Sequence, residues 1–333
     1  MLKKLVKILA IGLCLSAVLF MPHAHSAVTA SADGVAEIAM ELESGAILHS
    51  KNAEAKLPMA STTKIMTALI IAEDCDLSEV ITVPDGAVGI EGSSIYLKKD
   101  ERISVKDLLY GLMLRSGNDA ACALAIHHSG TVEKFVSVMN DRAKEIGACG
   151  THFKNPSGLP DDEHYTTAKD LCNIARRAMS NQTFSEVVST RQYAGDFRHF
   201  MNKNKLLSSL DGANGVKTGY TKKAGRCLVS SARRGDMDVV CVVLNCYDMY
   251  VKSAQIIDTC FEKYAVEKIG ADRVFSYKGR QCSLDSDCRI VVEKNKPLEF
   301  EIKEGDGGKS VAKLEIKCEN NLIFSRNLYT INS

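Results

Sequence analysis

Two side chains that can make a nucleophile and its base stand three positions apart in Ser61-Thr62-Thr63-Lys64. Ile65 to Ala72 after them is apolar at nearly every position, with no polar stripe at helical period. That is the pattern of a helix buried on every side. Pro58 and the small residues behind it suit the turn that opens such a helix. On that helix Ser61 and Lys64 lie one turn apart on one face. A lysine cation at the dry start of a core helix is costly, and it meets the positive end of the helix dipole, so its proton is held loosely. A neutral amine beside a hydroxyl is a general base beside a nucleophile. Taken alone, the same pair also fits a capping serine with a snorkelling lysine.

Two more triplets offer groups to a substrate. Ser116-Gly117-Asn118 falls between two helical patterns, and Lys217-Thr218-Gly219 occurs once, ahead of alternating strands. Lys217 and Thr218 supply a cation and a hydroxyl, and Gly219 lets a substrate backbone approach the strand. Each motif is cheap by itself. Ser50-Lys51-Asn52 and Ser325-Arg326-Asn327 repeat the Ser-x-Asn spacing, which is commonly a turn. Ser310-Val311-Ala312-Lys313 repeats the serine–lysine spacing, but in a strand pattern that sends the two side chains to opposite faces.

The elements around these residues follow from period and punctuation. Val35 to Ser50 reads as a β-hairpin turning at Ser44-Gly45, and a strand is expected at Ser94 to Lys98. Helices are expected at Val105 to Leu114, at Ala120 to His128 capped by Asp119, at Val132 to Ile146 ended by Gly147, and at Ala168 to Ser180 capped by Thr167. Strands follow at Gly215 to Tyr220, Arg226 to Arg233 and Asp238 to Asn245, then a helix at Lys252 to Val266. Beyond Phe275 only short strands appear, at Arg289 to Glu293, Leu298 to Lys303, Val311 to Cys318 and Leu322 to Ile331. This order makes an α+β fold, an antiparallel sheet packed with helices, followed by a small all-β domain. The expected division is a leader over 1–27, a mixed domain over 28–270 and a β domain over 275–333.

The composition narrows the function. Over 333 residues the formal net charge is +1, tryptophan is absent and aromatics are 6%. No electrostatic footprint for nucleic acid is present, nor a stacking platform for bases or glycans. Lys3, Lys4 and Lys7, the apolar run Ile8 to Phe20, and Ala24-His25-Ser26-Ala27 read as an export signal. Twelve cysteines in an exported chain invite a disulfide framework. However, Cys14 leaves with the signal, and Cys122, Cys172, Cys227 and Cys241 lie in apolar runs as small core residues. Cys282 and Cys288 flank a turn. No zinc spacing occurs, so neither metal nor cofactor is expected. No amphipathic anchor helix is expected at Tyr329 to Ser333.

In this order and setting the three triplets make the motif set of penicillin-binding proteins and class A β-lactamases. The chain resembles the penicillin-binding D-alanyl-D-alanine carboxypeptidases of the serine S11 type. The likeness takes in Leu57 to Leu69, Gly111 to Ala121, Phe153-x-Asn155-Pro156-x-Gly158-Leu159, His164-Tyr165-x-Thr167-Ala168 and Gly215 to Thr221 with Ala224-Gly225. It covers about Val28 to Phe261, and implies a penicillin-binding/β-lactamase-like catalytic domain. It also implies roles. Ser61 attacks the carbonyl of the penultimate D-alanine of a peptidoglycan stem peptide, and Lys64 takes its proton. Ser116 passes a proton to the departing amine, and Asn118 holds the substrate amide. Lys217 and Thr218 meet the terminal carboxylate. Backbone N–H groups of Ser61 and Tyr220, beside Gly219, form the oxyanion hole. β-Lactam antibiotics are the expected covalent inhibitors, at the cell-wall side of the membrane. One departure stands out: many relatives place an arginine after the strand hairpin to share the carboxylate, and here Lys252 is the nearest candidate. A β-lactamase-like hydrolase and a non-catalytic penicillin-binding protein stay open as alternatives. The first needs a glutamate-bearing loop, whereas Asn155 to Glu163 resembles the carboxypeptidase loop.

Overall fold

The computed structural model describes residues 35–307 and 309–331. The expected export signal lies outside them. Alternating runs around Ser44-Gly45 form β1 (Ala36–Glu41) and β2 (Ile47–Lys51), paired antiparallel. α1 (Lys64–Asp74) follows a 3-10 turn at Ala60–Thr63. Its first eight residues, Lys64 to Ile71, are all buried, as the unbroken apolar run requires. Each large aliphatic chain in it gains about 1.5–3 kcal/mol from leaving water.

The stretch before the second helix departs from expectation. β3 (Val80–Thr82) and β4 (Arg102–Ser104) pair there, while Ser94 to Lys98 is not a strand. Its backbone amides are claimed by a side chain, as described below, so no ladder is needed. α2 (Val105–Tyr110) is capped by Ser104 and continues into a π-helical turn at Gly111–Arg115. Ser116 ends that turn in the left-handed region, at φ 66°. α3 (Asn118–Ser129) begins one residue ahead of Asp119, so Asp119 is not its cap. α4 (Val132–Ile146) closes on left-handed Gly147, and α5 (Ala168–Met179) opens on Thr167, whose hydroxyl accepts from Asp170 N. Between α5 and the next long strand, four short elements were not expected from periodicity: α6 (Gln182–Ser189), the hairpin β5 (Gln192–Ala194) with β6 (His199–Met201), and α7 (Leu206–Ser209).

β7 (Ala213–Thr221), β8 (Gly225–Arg234) and β9 (Met237–Leu244) complete an antiparallel sheet in the order β2-β1-β9-β8-β7. β1 and β9 are buried on both faces, which is why their polar positions are few. One face packs on α1, α5 and α6, the other on α8 (Met249–Lys263). The helix expected to run to Val266 ends at Lys263, because Tyr264 to Ile269 form β10. β10 pairs with β13 (Cys288–Glu293). β11 (Phe275–Tyr277), β12 (Arg280–Ser283), β14 (Leu298–Glu304), β15 (Ser310–Cys318) and β16 (Asn321–Thr330) make a second sheet in the order β11-β12-β16-β15-β14. These strands share their own apolar cluster around Ile290, Leu314, Ile316 and Leu328. The α+β architecture with an all-β C-terminal part is therefore present. Eleven described cysteines are unpaired, Cys282 and Cys288 among them. No helix among the described residues is long and apolar enough to cross a membrane.

Candidate active site

The 3-10 turn before α1 tips Ser61 toward the first residue of the helix. Lys64 Nζ lies 3.1 Å from Ser61 Oγ and donates to Asn118 Oδ1 at 2.7 Å. A second acceptor is the Ser157 carbonyl at 2.5 Å. The lysine has no exposed surface. Burial, then Lys217 and Lys203, hold its pKa well below the ordinary lysine value, and Asp119 alone opposes them. An amine in that state is stripped of its proton far below the usual pH, its two N–H groups satisfied by Asn118 Oδ1 and the Ser157 carbonyl and its lone pair turned to Ser61 Oγ.

Asn118 is placed by the start of α3. Its Nδ2 donates to Glu91 O at 2.7 Å and its backbone N–H to Ser93 O at 2.7 Å. Asp119 beside it is 1% exposed, and its carboxylate takes Ser94 Oγ and the backbone N–H groups of Ile95 and Leu97. The expected helix cap is thus a clamp on the 94–97 loop. That loop had the alternation of a strand, but a carboxylate replaces the partner strand. Ser116 stands two residues before Asn118 and is 5% exposed.

β7 brings the third triplet to the same place. A Cβ on Gly219 would lie 3.1 Å from Ser61 N and 3.2 Å from Ala60 Cβ, so any side chain would push the strand and the nucleophile turn apart by a few tenths of an ångström. Tyr220 follows with its side chain 65% exposed. Lys217 is 2% exposed and donates to Thr218 O at 3.0 Å. Burial, helped by Lys203, pushes its pKa down to about 7. Thr218 is half-buried on the same strand. Lys252 sits on the first turn of α8, its N–H closing onto Asp248 O at 2.9 Å. A further cation, Lys203, lies close enough to lower the pKa of both Lys64 and Lys217. Lys203 is held between the motifs: its N–H meets Leu114 O at 3.2 Å, and Asn204 Nδ2 next to it meets Gly215 O at 2.9 Å.

Sequence reasoning missed the 155–159 loop as part of the site. Asn155 Oδ1 accepts from Gly158 N at 2.7 Å and Leu159 N at 3.0 Å, an Asx-type turn that presents the Ser157 carbonyl to Lys64. Gly158, at φ 86°, presses on the nucleophile turn: a Cβ there would lie 2.0 Å from Ala60 O. A glycine in a proline-bearing loop was the available signal. The carbonyl's target was not readable. Ser310 and Lys313 remain on β15, where Lys313 pairs with Asp306 at 3.1 Å.

A hydroxyl whose proton acceptor is a buried lysine, with an amide and a second buried lysine converging on it, defines a serine hydrolase of the acyl-transfer kind. The chain belongs to the Peptidase S11 family, described as D-alanyl-D-alanine carboxypeptidase, whose model matches residues 23–248. It is similar to the D-alanyl-D-alanine carboxypeptidase DacF of Bacillus subtilis (strain 168), at 32% identity over 86% of this chain and 76% of that one. A D-alanyl-D-alanine carboxypeptidase of Streptomyces sp. (strain K15) is 38% identical over 62% of this chain and 78% of its own length. Among solved structures, penicillin binding protein 5 from Haemophilus influenzae matches with a TM-score of 0.77 at 27% identity, over 90% of this chain and 96% of that one.

Proposed function

We propose that this chain is a serine D-Ala-D-Ala carboxypeptidase that removes the terminal D-alanine from peptidoglycan stem pentapeptides and is acylated by penicillin at Ser61. The observation that carries the reading is the fully buried Lys64 amine 3.1 Å from Ser61 Oγ.

Ser61 Oγ attacks the penultimate D-alanine carbonyl, and the proton it loses goes to Lys64 Nζ. The resulting oxyanion lies between the backbone N–H groups of Ser61 and Tyr220, which the close pass of Gly219 supports. Lys217 and Thr218 hold the terminal carboxylate, and Asn118 holds the substrate amide. Ser116 relays a proton to the leaving amine, giving its own and regaining one from the Lys64 ammonium, and the amine departs as D-alanine while Lys64 returns to neutral. Water then cleaves the ester and regenerates Ser61. Lys217 must be protonated to bind a carboxylate while Lys64 must be neutral, so activity is bounded above near the Lys217 value of about 7.

The loop of a β-lactamase would aim a carboxylate at the acyl-enzyme. Here Glu163 pairs with Lys154 at 2.9 Å with its side chain 69% exposed, and Asp162 pairs with Lys223. Over Lys64 the loop offers a carbonyl instead. The basic start, the apolar run and the small-residue exit before Val28 support export, and so action on the cell-wall side of the membrane.

The test is release of free D-alanine from a pentapeptide ending in D-Ala-D-Ala. The parent protein releases it and Ser61→Ala does not. Mass measurement after penicillin treatment separates the alternatives. A single persistent acyl group on Ser61 is expected, rapid loss of it indicates a β-lactamase, and no added mass indicates a binding protein.

A further inference from the structure

Ala60, directly before the nucleophile, lies in the left-handed region at φ 48°. A non-glycine residue there stores strain that its surroundings must hold in place. The hold on its carbonyl is visible. Thr63 Oγ1 donates to Ala60 O at 2.8 Å, and His164 Nε2 lies 2.7 Å from Thr63 Oγ1. Lys154 N donates to His164 Nδ1 at 3.0 Å. Nδ1 is therefore the acceptor of a neutral ring and Nε2 carries the proton. The hydrogen bonds run one way: Lys154 N–H to the ring, ring N–H to the Thr63 hydroxyl, and hydroxyl to Ala60 C=O. His164 is 3% exposed and Thr63 fully buried, so no water competes for these groups. Phe153 packs edge-on against the imidazole at 5.8 Å and fixes its plane.

We propose that His164 is a positioning residue for acyl transfer: through the Thr63 hydroxyl it holds the Ala60 carbonyl, and so the strained turn that aims Ser61 Oγ at Lys64. This rests on the acyl-transfer reading above. His164 touches no reacting atom. Its work is to keep a backbone conformation that Ala60 would otherwise leave.

Four variants test this against penicillin acylation and peptide turnover. Thr63→Val keeps the shape and deletes the hydroxyl, whereas Thr63→Ser keeps the hydroxyl. His164→Phe deletes the ring N–H, whereas His164→Gln keeps an N–H donor. Thr63→Val and His164→Phe should lower kcat and the acylation rate about tenfold or more, with KM within about twofold. Thr63→Ser and His164→Gln should stay within about threefold of the parent. Because both act through one carbonyl, the double variant Thr63→Val/His164→Phe should be no slower than the worse single one. Amide hydrogen exchange at residues 60–63 reads the same hold with no substrate: it should quicken about tenfold in Thr63→Val while α4 is unchanged. Parent-like acylation and exchange in Thr63→Val, or losses that multiply in the double variant, would overturn the proposal. A parent that never acylates but shows the exchange effect would overturn the carboxypeptidase reading and leave the positioning role standing.

Discussion

Replacing Gly158 with alanine should damage both chemistry and stability, and the structure says by how much. At φ 86° an L side chain is strained by about 1–2 kcal/mol. The added Cβ also lies 2.0 Å from Ala60 O and 2.4 Å from Ala60 C. Ordinary contact needs roughly 3.5 Å, so the loop and the nucleophile turn must part by about 1.5 Å. That overpacking adds about 1–3 kcal/mol. The same parting withdraws the Ser157 carbonyl from Lys64 and shifts Ser61, and a misplacement of about 1 Å costs on the order of 100-fold in rate. Gly130 supplies the control, with φ 81° and no atom within 4 Å of its added Cβ. Gly130→Ala should lose only the backbone strain and acylate at the parent rate. The assay is the second-order acylation rate with benzylpenicillin beside the melting temperature by calorimetry. Gly158→Ala acylating like the parent, or Gly130→Ala slowing as much as Gly158→Ala, would refute the reasoning.

Two pH effects follow from the buried bases. The Lys217 cation is lost as pH rises through about 7, so kcat/KM for a peptide with a free terminal carboxylate should fall about tenfold per pH unit above that value. Lys217→Arg, which stays charged, should carry the plateau upward, and a parent profile flat to pH 9 would contradict this. Burial lowers His164 from its ordinary 6.5 to about 4, with His152 and Lys64 adding to the effect and Asp161 opposing it. The unfolded chain then binds more protons between those values. Stability is whole above 6.5 and falls by about 3 kcal/mol as pH drops to 4. Urea unfolding of the parent minus His164→Gln should show that loss. Equal slopes in the two proteins would contradict it.

Where local pattern and tertiary demand agreed, the sequence was readable. The apolar run after Lys64 gave a buried helix because it is buried on every side. The strands expected at β8 and β9 formed, but as nearly continuous buried runs and not alternating ones, because the sheet is covered on both faces. Thr167 and Gly147 acted as cap and stop because both devices are local. Failures came where a distant group supplied the missing half of an interaction. Asp119 looked like a cap until the 94–97 loop arrived to use its carboxylate. Lys203 carries no motif, and only the fold sets it between Leu114 and Gly215. The Ser157 contribution is a backbone carbonyl, which residue identity does not encode. Ser61, Lys64 and Asn118 do meet through hydrogen bonds, and Gly219 packs on the nucleophile's own amide.

Everything in the chemistry depends on Lys64 being a base near neutral pH. Its titration can be followed by NMR in protein carrying 13C-labelled lysine, with the signal assigned by its disappearance in Lys64→Met. The account predicts a transition well below the ordinary 10.5 of lysine. A Lys64 signal that titrates at 10.5 or higher would contradict it.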